Sequence, residues 1–135
     1  MKKVRAKFPN AILSADVFAD ATMRIDVGQA GILQYLDIIM PMAYTYEPNG
    51  TTTDLKAWIS TIKQEFPTKA LVPILRGWSD GLPTPTPTGL ISNLTSDLAT
   101  VKTIESDGYA IFTYEYLLRE TKNSKLSAIK AKLGY

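Results

Sequence analysis

Hydrophobic and polar positions along the chain follow two alternating patterns. In four short segments the apolar residues are nearly continuous, which is typical of parallel strands covered on both faces. Between these segments the apolar residues recur every three or four positions, the spacing of an amphipathic helix. Strands are predicted at Ala11–Phe18, Leu36–Ala43, Lys69–Leu75 and Gly108–Tyr114. Helices are predicted at Val27–Tyr35, Asp54–Phe66, Leu90–Ser106 and Ser124–Leu133.

Polar residues and prolines set the predicted ends of these elements. Asp26 and Gln29 are placed to cap the helix that begins at Val27. Pro41 and Pro73 each lack the N–H that a central strand needs, so we interpret them as marking where a strand leaves the sheet. The proline-rich segment Pro83–Pro87 connects the third strand to its helix, which favours a long βα loop over a linker between domains.

The order of the elements, four strands that are each followed by a helix, predicts a single α/β domain over residues 1–135. Its sheet should be parallel, with right-handed crossovers. Three architectures share this order: an open doubly wound sheet, half of a (β/α)8 TIM barrel, and a solenoid fragment. The four units share no sequence motif, which argues against a solenoid. Neither Ala19–Thr22 nor Gly77–Gly81 matches a dinucleotide or phosphate-binding turn, so we expect no cofactor.

Composition narrows the possible chemistry. The 15 Lys and Arg residues exceed the 13 Asp and Glu residues by only +2, which does not favour nucleic acid or a membrane surface as a partner. The chain contains no Cys and no His, so we expect no metal site, and acid–base chemistry falls to Asp, Glu, Tyr or Lys. No segment is apolar for long enough to span a bilayer, and the charged start, Met1–Pro9, is not a signal peptide.

Polar and aromatic residues gather at the predicted carboxyl ends of the strands, where a barrel carries its active site. Aromatic faces stack on sugar rings, while arginine and carboxylates hydrogen-bond sugar hydroxyls. The candidate site residues are Asp16, Tyr44, Tyr46, Arg76, Trp78, Tyr114 and Glu115. Some of these residues also have a structural interpretation. Asp16 and Arg76 are alternatively an internal ion pair, and Trp78 is alternatively a cap on the barrel.

The segment from Tyr35 to Tyr44, YLDIIMPMAY, carries a resemblance to a known family. It resembles the sixth-strand motif of glycoside-hydrolase-like barrels of the family-10-like group, and more distantly that of chitinases. In that motif a hydrophobic residue and an Asp precede a hydrophobic run, a Met or Pro, and a Tyr that reaches the active site. In the same order, Ile12–Asp16, Leu71–Trp78 and Gly108–Tyr114 are similar to the fifth, seventh and eighth strands. The resemblance spans nearly the whole chain and implies the C-terminal half of such a barrel.

This resemblance implies a carbohydrate-active protein whose parent is extracellular or attached to the cell envelope. Glycosidic cleavage by the common route uses two carboxyl groups, and in such families an essential one lies at the end of the fourth strand, ahead of this segment. Asp16 and Glu115 are then the catalytic candidates that this chain offers, and whether it is an enzyme by itself stays open. The alternatives are a non-catalytic carbohydrate-binding or assembly module and an open-sheet α/β ligand-binding domain.

A half barrel by itself would leave two sheet edges open and expose the inward faces of its strands. We therefore expect this surface to be covered, either by a second copy in a homodimer or by the missing N-terminal half of the barrel. The expected ligand is a polysaccharide or oligosaccharide.

Overall fold

A computed structural model describes residues 1–45, 52–79, 82, 85–104, 106–113 and 131. It shows a mixed α/β fold around one parallel sheet. No helix among these residues is long and apolar enough to cross a membrane. The strands are β1 Ser14–Phe18, β2 Ile38–Met42, β3 Ala70–Leu71, β4 Ile74–Arg76 and β5 Ala110–Phe112. The helices are α1 Lys2–Lys7, α2 Ala21–Asp26, a 3₁₀ helix Ala30–Tyr35, α3 Thr52–Glu65 and α4 Pro87–Thr103.

The sheet is parallel, as predicted, and its strands lie in sequential order. Its order is β1-β2-β4-β5, with β3 also paired to β2. The register aligns Asp16 with Met40 and Phe18 with Met42, and then Met42 with Ile74. Among the described residues, β1 and β5 form the two edges of the sheet. The predicted fourth helix, Ser124–Leu133, lies outside the described residues except for Ala131, so the count of four βα units stays a prediction.

The third predicted strand, Lys69–Leu75, is two short strands, and the prolines explain the division. The Val72 N–H donates to the Ile39 carbonyl at 3.0 Å, and the Ala43 N–H donates to the Ile74 carbonyl at 2.9 Å. Pro41 lies midway between Ile39 and Ala43 and has no N–H to donate. The ladder is therefore interrupted opposite it, between β3 and β4. Pro41 lies one residue before the end of β2, near the strand end as predicted. Pro73 does not mark a final exit from the sheet, because β4 begins directly after it.

One face of the sheet carries the hydrophobic core. Along β2, Ile39 and Pro41 are buried, whereas Ile38, Met40 and Met42 are partly exposed, as expected when helices cover a single face. The predicted stripes of α3 and α4 supply most of the helical side of this core. Their fully or nearly fully buried members are Leu55, Ile59, Ile62, Leu90, Leu94, Leu98 and Val101.

At the amino end of the sheet, two aspartates tie neighbouring strands together in the same way. Asp37 accepts a hydrogen bond from the Leu13 N–H at 2.8 Å and donates its own N–H to the Leu13 carbonyl at 2.8 Å. Asp107 makes the same reciprocal pair with Leu71, at 2.8 and 2.9 Å. The Leu13 hydrogen bond is the main cause that lowers the pKa of Asp37, and the Leu71 hydrogen bond does the same for Asp107. Both carboxylates are therefore held in their charged form, which stabilises the fold above about pH 4 and less so as the pH falls further.

A basic side chain completes each of these pairs. Arg5, from the unpredicted helix α1, forms an ion pair with Asp37 and donates to the Ala11 and Tyr35 carbonyls at 2.8 and 3.0 Å. Lys63, from α3, lies 3.2 Å from Asp107. The Asp of the sixth-strand-like motif is thus a structural residue at the end of the sheet opposite the candidate site.

The segment after β1 differs from its prediction. A helix was predicted over Val27–Tyr35 with Asp26 and Gln29 as caps, but α2 already ends at Asp26 and a 3₁₀ helix follows. The N-cap is Asp20, whose carboxylate accepts from the Met23 N–H at 2.9 Å. Gly28, with φ of +71°, then turns the chain between the two helices. The apolar spacing after Val27 therefore matched a helix but gave no sign of the turn at Gly28.

Gly77, directly after β4, is fixed by close approach to β5. Its N–H donates to the Phe112 carbonyl at 2.7 Å. A Cβ at this position would lie 2.9 Å from that carbonyl oxygen and 3.1 Å from the Ile111 Cγ2. Because backbone cannot move aside as a flexible side chain can, only glycine fits here without separating β4 from β5.

We expect Gly77→Ala to lower the free energy of unfolding by about 1–3 kcal/mol, the usual cost of forcing an extra group into a packed site. Urea denaturation measures it. Gly31→Ala is the matched control, since a Cβ there meets nothing within 4 Å, and it should leave stability unchanged or slightly raised. Equal effects of the two substitutions would contradict the close-approach argument.

Candidate functional site

Three aromatic side chains meet at the carboxyl ends of adjacent strands. Tyr44 follows β2, Trp78 follows β4 and Phe112 ends β5. The ring centroids of Tyr44 and Trp78 lie 4.9 Å apart, edge to face, while Phe112 lies 6.5 Å from Tyr44 and 6.4 Å from Trp78. These spacings are those of interacting aromatic pairs. We call this group the aromatic platform. Tyr44 and Trp78 are partly exposed, and Phe112 is 54% exposed.

Arg76 lies next to the platform and is almost fully buried. Its guanidinium carbon is 4.7 Å from the centroid of the Trp78 ring, within the range of a cation–π interaction. The structure thus brings three predicted site residues together, namely Tyr44, Arg76 and Trp78. Arg76 therefore lies beside an aromatic ring, and its charge also acts on a buried carboxyl of α4.

That carboxylate belongs to Asp97, the centre of a buried polar cluster. Its Oδ2 accepts from the Thr45 hydroxyl at 2.7 Å and from the Asn93 Nδ2 at 3.1 Å, and the same amide lies 3.1 Å from the Thr45 hydroxyl. Asp97 and Thr45 have no exposed surface, and Asn93 is nearly as buried. Among the described residues, no group hydrogen-bonds the other Asp97 oxygen or the Asn93 carbonyl oxygen.

Burial raises the pKa of Asp97 to about 6, although hydrogen bonds from Thr45 and Asn93 and the charge of Arg76 act in the opposite direction. The Asp97 carboxyl therefore ionises near pH 6, whereas an aspartate with the ordinary pKa ionises near pH 3.8.

Four residues of this region were not predicted from the sequence: Asp97, Asn93, Thr45 and Phe112. A signal for two of them was present, because Asn93 and Asp97 lie three and seven residues after Leu90, on the same face as the apolar stripe of α4. Two polar residues at inward positions of a helix indicate a buried hydrogen-bonded pair. For Thr45 and Phe112, only the tertiary structure shows which neighbours they reach.

Asp16 does not lie at the platform. It is exposed, in the middle of β1, and is aligned with Met40. Met40 precedes Tyr44 by four residues, or about 13 Å along an extended strand. The carboxylate at the end of β1 is instead Asp20, the N-cap of α2. A catalytic role for Asp16 stays a prediction.

The remaining site predictions, Tyr46, Tyr114 and Glu115, lie outside the described residues. Within the described part of the chain, no group of three or more Asp or Glu side chains is placed to hold a metal ion. The described side chains offer a partly exposed ring surface with a buried cation and a buried carboxyl next to it. The ring surface can bind a ligand that has apolar faces.

Comparisons with known proteins give little further information. No protein-family model matches the chain, and no curated protein matches it. Among solved structures, the monoclinic crystal structure of bee venom hyaluronidase is similar over 82% of this chain and 40% of that chain, with 17% identity and a TM-score of 0.47. The chain thus spans less than half the length of this neighbour. At this identity and TM-score, the similarity transfers neither fold nor activity.

We expect Asp97→Asn to stabilise the protein near pH 8. The wild-type native state keeps this carboxyl protonated up to about pH 6, whereas the unfolded chain ionises it near its ordinary value of 3.8. Wild-type stability therefore falls between these two values by up to about 3 kcal/mol, at 1.36 kcal/mol per pH unit. The neutral amide removes this loss.

Urea denaturation of both proteins from about pH 4 to pH 8 tests this expectation. The advantage of Asp97→Asn should be small near pH 4, grow up to about pH 6 and then level off. A variant that is less stable than wild type at about pH 8 would show that the ionised carboxylate stabilises the fold.

Proposed function

We propose that this chain is the saccharide-binding part of a glycoside-hydrolase-like barrel and that the aromatic platform is its binding surface. The observation that carries the proposal is the meeting of Tyr44, Trp78 and Phe112 at the carboxyl ends of three adjacent parallel strands. In β/α barrels this end of the sheet carries the site. Partly exposed aromatic rings there offer apolar faces to sugar rings, and the neighbouring Arg76 adds positive charge beside the platform.

The barrel assignment is itself part of the proposal. The motif resemblance of Tyr35–Tyr44 supports it, as does the sequential order of parallel strands with a core on one face. An open doubly wound sheet would carry helices on both faces. The parent protein is then an extracellular or cell-envelope protein that acts on or binds a polysaccharide.

A non-catalytic binding module is the second candidate, and the position of the carboxylates favours it. Hydrolysis by the common route needs two carboxyl groups about 5–9 Å apart across the scissile bond. Among the described residues, Asp97 is buried behind the platform and Asp16 lies four residues away from it along the sheet. Release of reducing ends from a polysaccharide that binds to the chain would favour hydrolysis, and loss of this release in Asp16→Asn would assign Asp16 to it.

Phe112 offers a direct test of saccharide binding. We expect Phe112→Ala to weaken binding about tenfold, or roughly 1.4 kcal/mol, because the variant loses apolar surface that a sugar would cover. Affinity electrophoresis in native gels that contain soluble polysaccharides measures the change. Phe8→Ala is the matched control, since Phe8 is 51% exposed but lies after α1, away from the strand ends. Equal retardation of the two variants and wild type would contradict a role of the platform in binding.

The face of β2 that points away from the core leads to a proposal about assembly. Ile38, Met40 and Met42 are partly exposed on it, and β1 is an edge strand of the described sheet. We propose that this face is covered by a second copy, or by the other half of the barrel in a longer parent protein. A homodimer should bury more than about 2,000 Å², with an apolar centre.

Sedimentation equilibrium of the isolated chain at micromolar concentration checks the dimer. We expect twice the monomer mass, because two copies can close the open face around a two-fold axis. A monomer that melts cooperatively would show that the sheet needs no cover.

A further inference from the structure

The buried cluster around Asp97 is connected to the aromatic platform in two ways, through the chain at Thr45 and through the charge of Arg76. We propose that Asp97 is a positioning residue, which holds the platform in its binding geometry through Thr45 on one side and through the charge of Arg76 on the other. This inference rests on the proposed saccharide-binding function and adds to it a residue that contacts no ligand.

The first connection runs through the chain itself. Thr45 directly follows Tyr44, and its hydroxyl is held by Asp97 at 2.7 Å and by Asn93 at 3.1 Å. The preceding residue, Ala43, is fixed to β4 by its hydrogen bond to Ile74. Tyr44 therefore lies between two anchored residues, so the position of its ring depends on the hydrogen bond between Thr45 and Asp97.

The second connection is electrostatic. Arg76 lies over the Trp78 ring at 4.7 Å and is 2% exposed, so its charge is poorly screened by water. This charge acts on the Asp97 carboxyl. When Asp97 is ionised it attracts the guanidinium toward α4, and when it is protonated this attraction is lost. The position of Arg76 against the Trp78 ring should then depend on the charge of Asp97.

Among the described residues, Arg76 is the charged group that acts on the Asp97 carboxyl. The described elements packed most closely against α4 are α3 and β4. Their charged side chains are Asp54, Lys56, Lys63, Glu65 and Arg76. Of these, Arg76 acts on Asp97, and Lys63 is paired with Asp107 at the other end of the sheet.

A positioning role and a purely structural role predict opposite results for stability. A buried carboxyl whose pKa is raised costs folding free energy once it is ionised. If Asp97 served the fold alone, replacing it would weaken the fold. If Asp97 positions the platform, the neutral variant should be more stable but bind saccharide less tightly. Binding sites often contain residues that lower the stability of the fold.

The experiment compares saccharide binding by wild type and Asp97→Asn at about pH 5 and about pH 8, below and above the titration of Asp97. We expect wild type to bind about fivefold more tightly at the higher pH, which corresponds to roughly 1 kcal/mol. Asp97→Asn should bind with the weaker affinity at both. Asp26→Asn, which removes an equal charge from an exposed position at the end of α2, should behave like wild type.

A readout without ligand separates this inference from the proposed function. The chain has two tryptophans, Trp58 and Trp78, so Trp58→Phe leaves the emission of Trp78 alone. This emission should change between about pH 5 and pH 8, and the change should be absent when Asp97→Asn is added. If Trp58→Phe does not fold, the difference between wild type and Trp78→Phe isolates the same signal.

The outcomes are distinct. A pH-dependent Trp78 signal that needs Asp97, without binding of any saccharide, would support positioning and contradict the proposed function. Saccharide binding and Trp78 emission that are both unaffected by Asp97→Asn would overturn the positioning role and leave the binding proposal standing. An Asp97→Asn variant that loses both stability and saccharide affinity would also overturn the positioning role, because it would make Asp97 a structural residue.

Discussion

The reciprocal hydrogen bonds of Asp37 with Leu13 and of Asp107 with Leu71 set the relative positions of the strands. A parallel sheet whose side chains alternate between faces cannot slip by one residue without exchanging its buried and exposed sets. Once Leu13 and Asp37 are paired, Val17 and Ile39 point into the core and Asp16 and Met40 point away from it. The position of the aromatic platform at the other end of the sheet follows from the same register.

The two ends of the sheet use carboxylates in opposite ways. At the amino end, Asp37 and Asp107 accept backbone hydrogen bonds near solvent, and their pKa values are lowered. At the carboxyl end, Asp97 is buried among few donors, and its pKa is raised. The first arrangement stabilises the fold at neutral pH, whereas the second weakens it. The carboxylates that stabilise the fold thus lie at one end of the sheet, and the candidate site lies at the other.

Much of the fold could be predicted because apolar spacing reports burial directly. The stripe from Leu55 to Ile62 and the segment Ile38–Met42 were placed correctly, since each pattern has one favourable packing. The region after β1 could not, because the turn at Gly28 depends on a positive φ that hydrophobic spacing does not encode. Tyr44, Arg76 and Trp78 were grouped from their place at strand ends, and the structure brings them together, while their role in a site stays a prediction. Asp16 was expected beside them, but the register puts it four residues short.

The sequence by itself determined the alternation of strands and helices, the parallel sheet, and the aromatic and basic residues at the strand ends. These features depend on local spacing and residue type, which the sequence contains. The tertiary structure alone decided that β3 and β4 are separate, that Gly77 lies against Phe112, and that Thr45 reaches Asp97 across 52 residues of sequence. Such contacts depend on which strands and helices become neighbours, and the burial that changes the charge of Asp97 exists only once α4 is packed on the sheet.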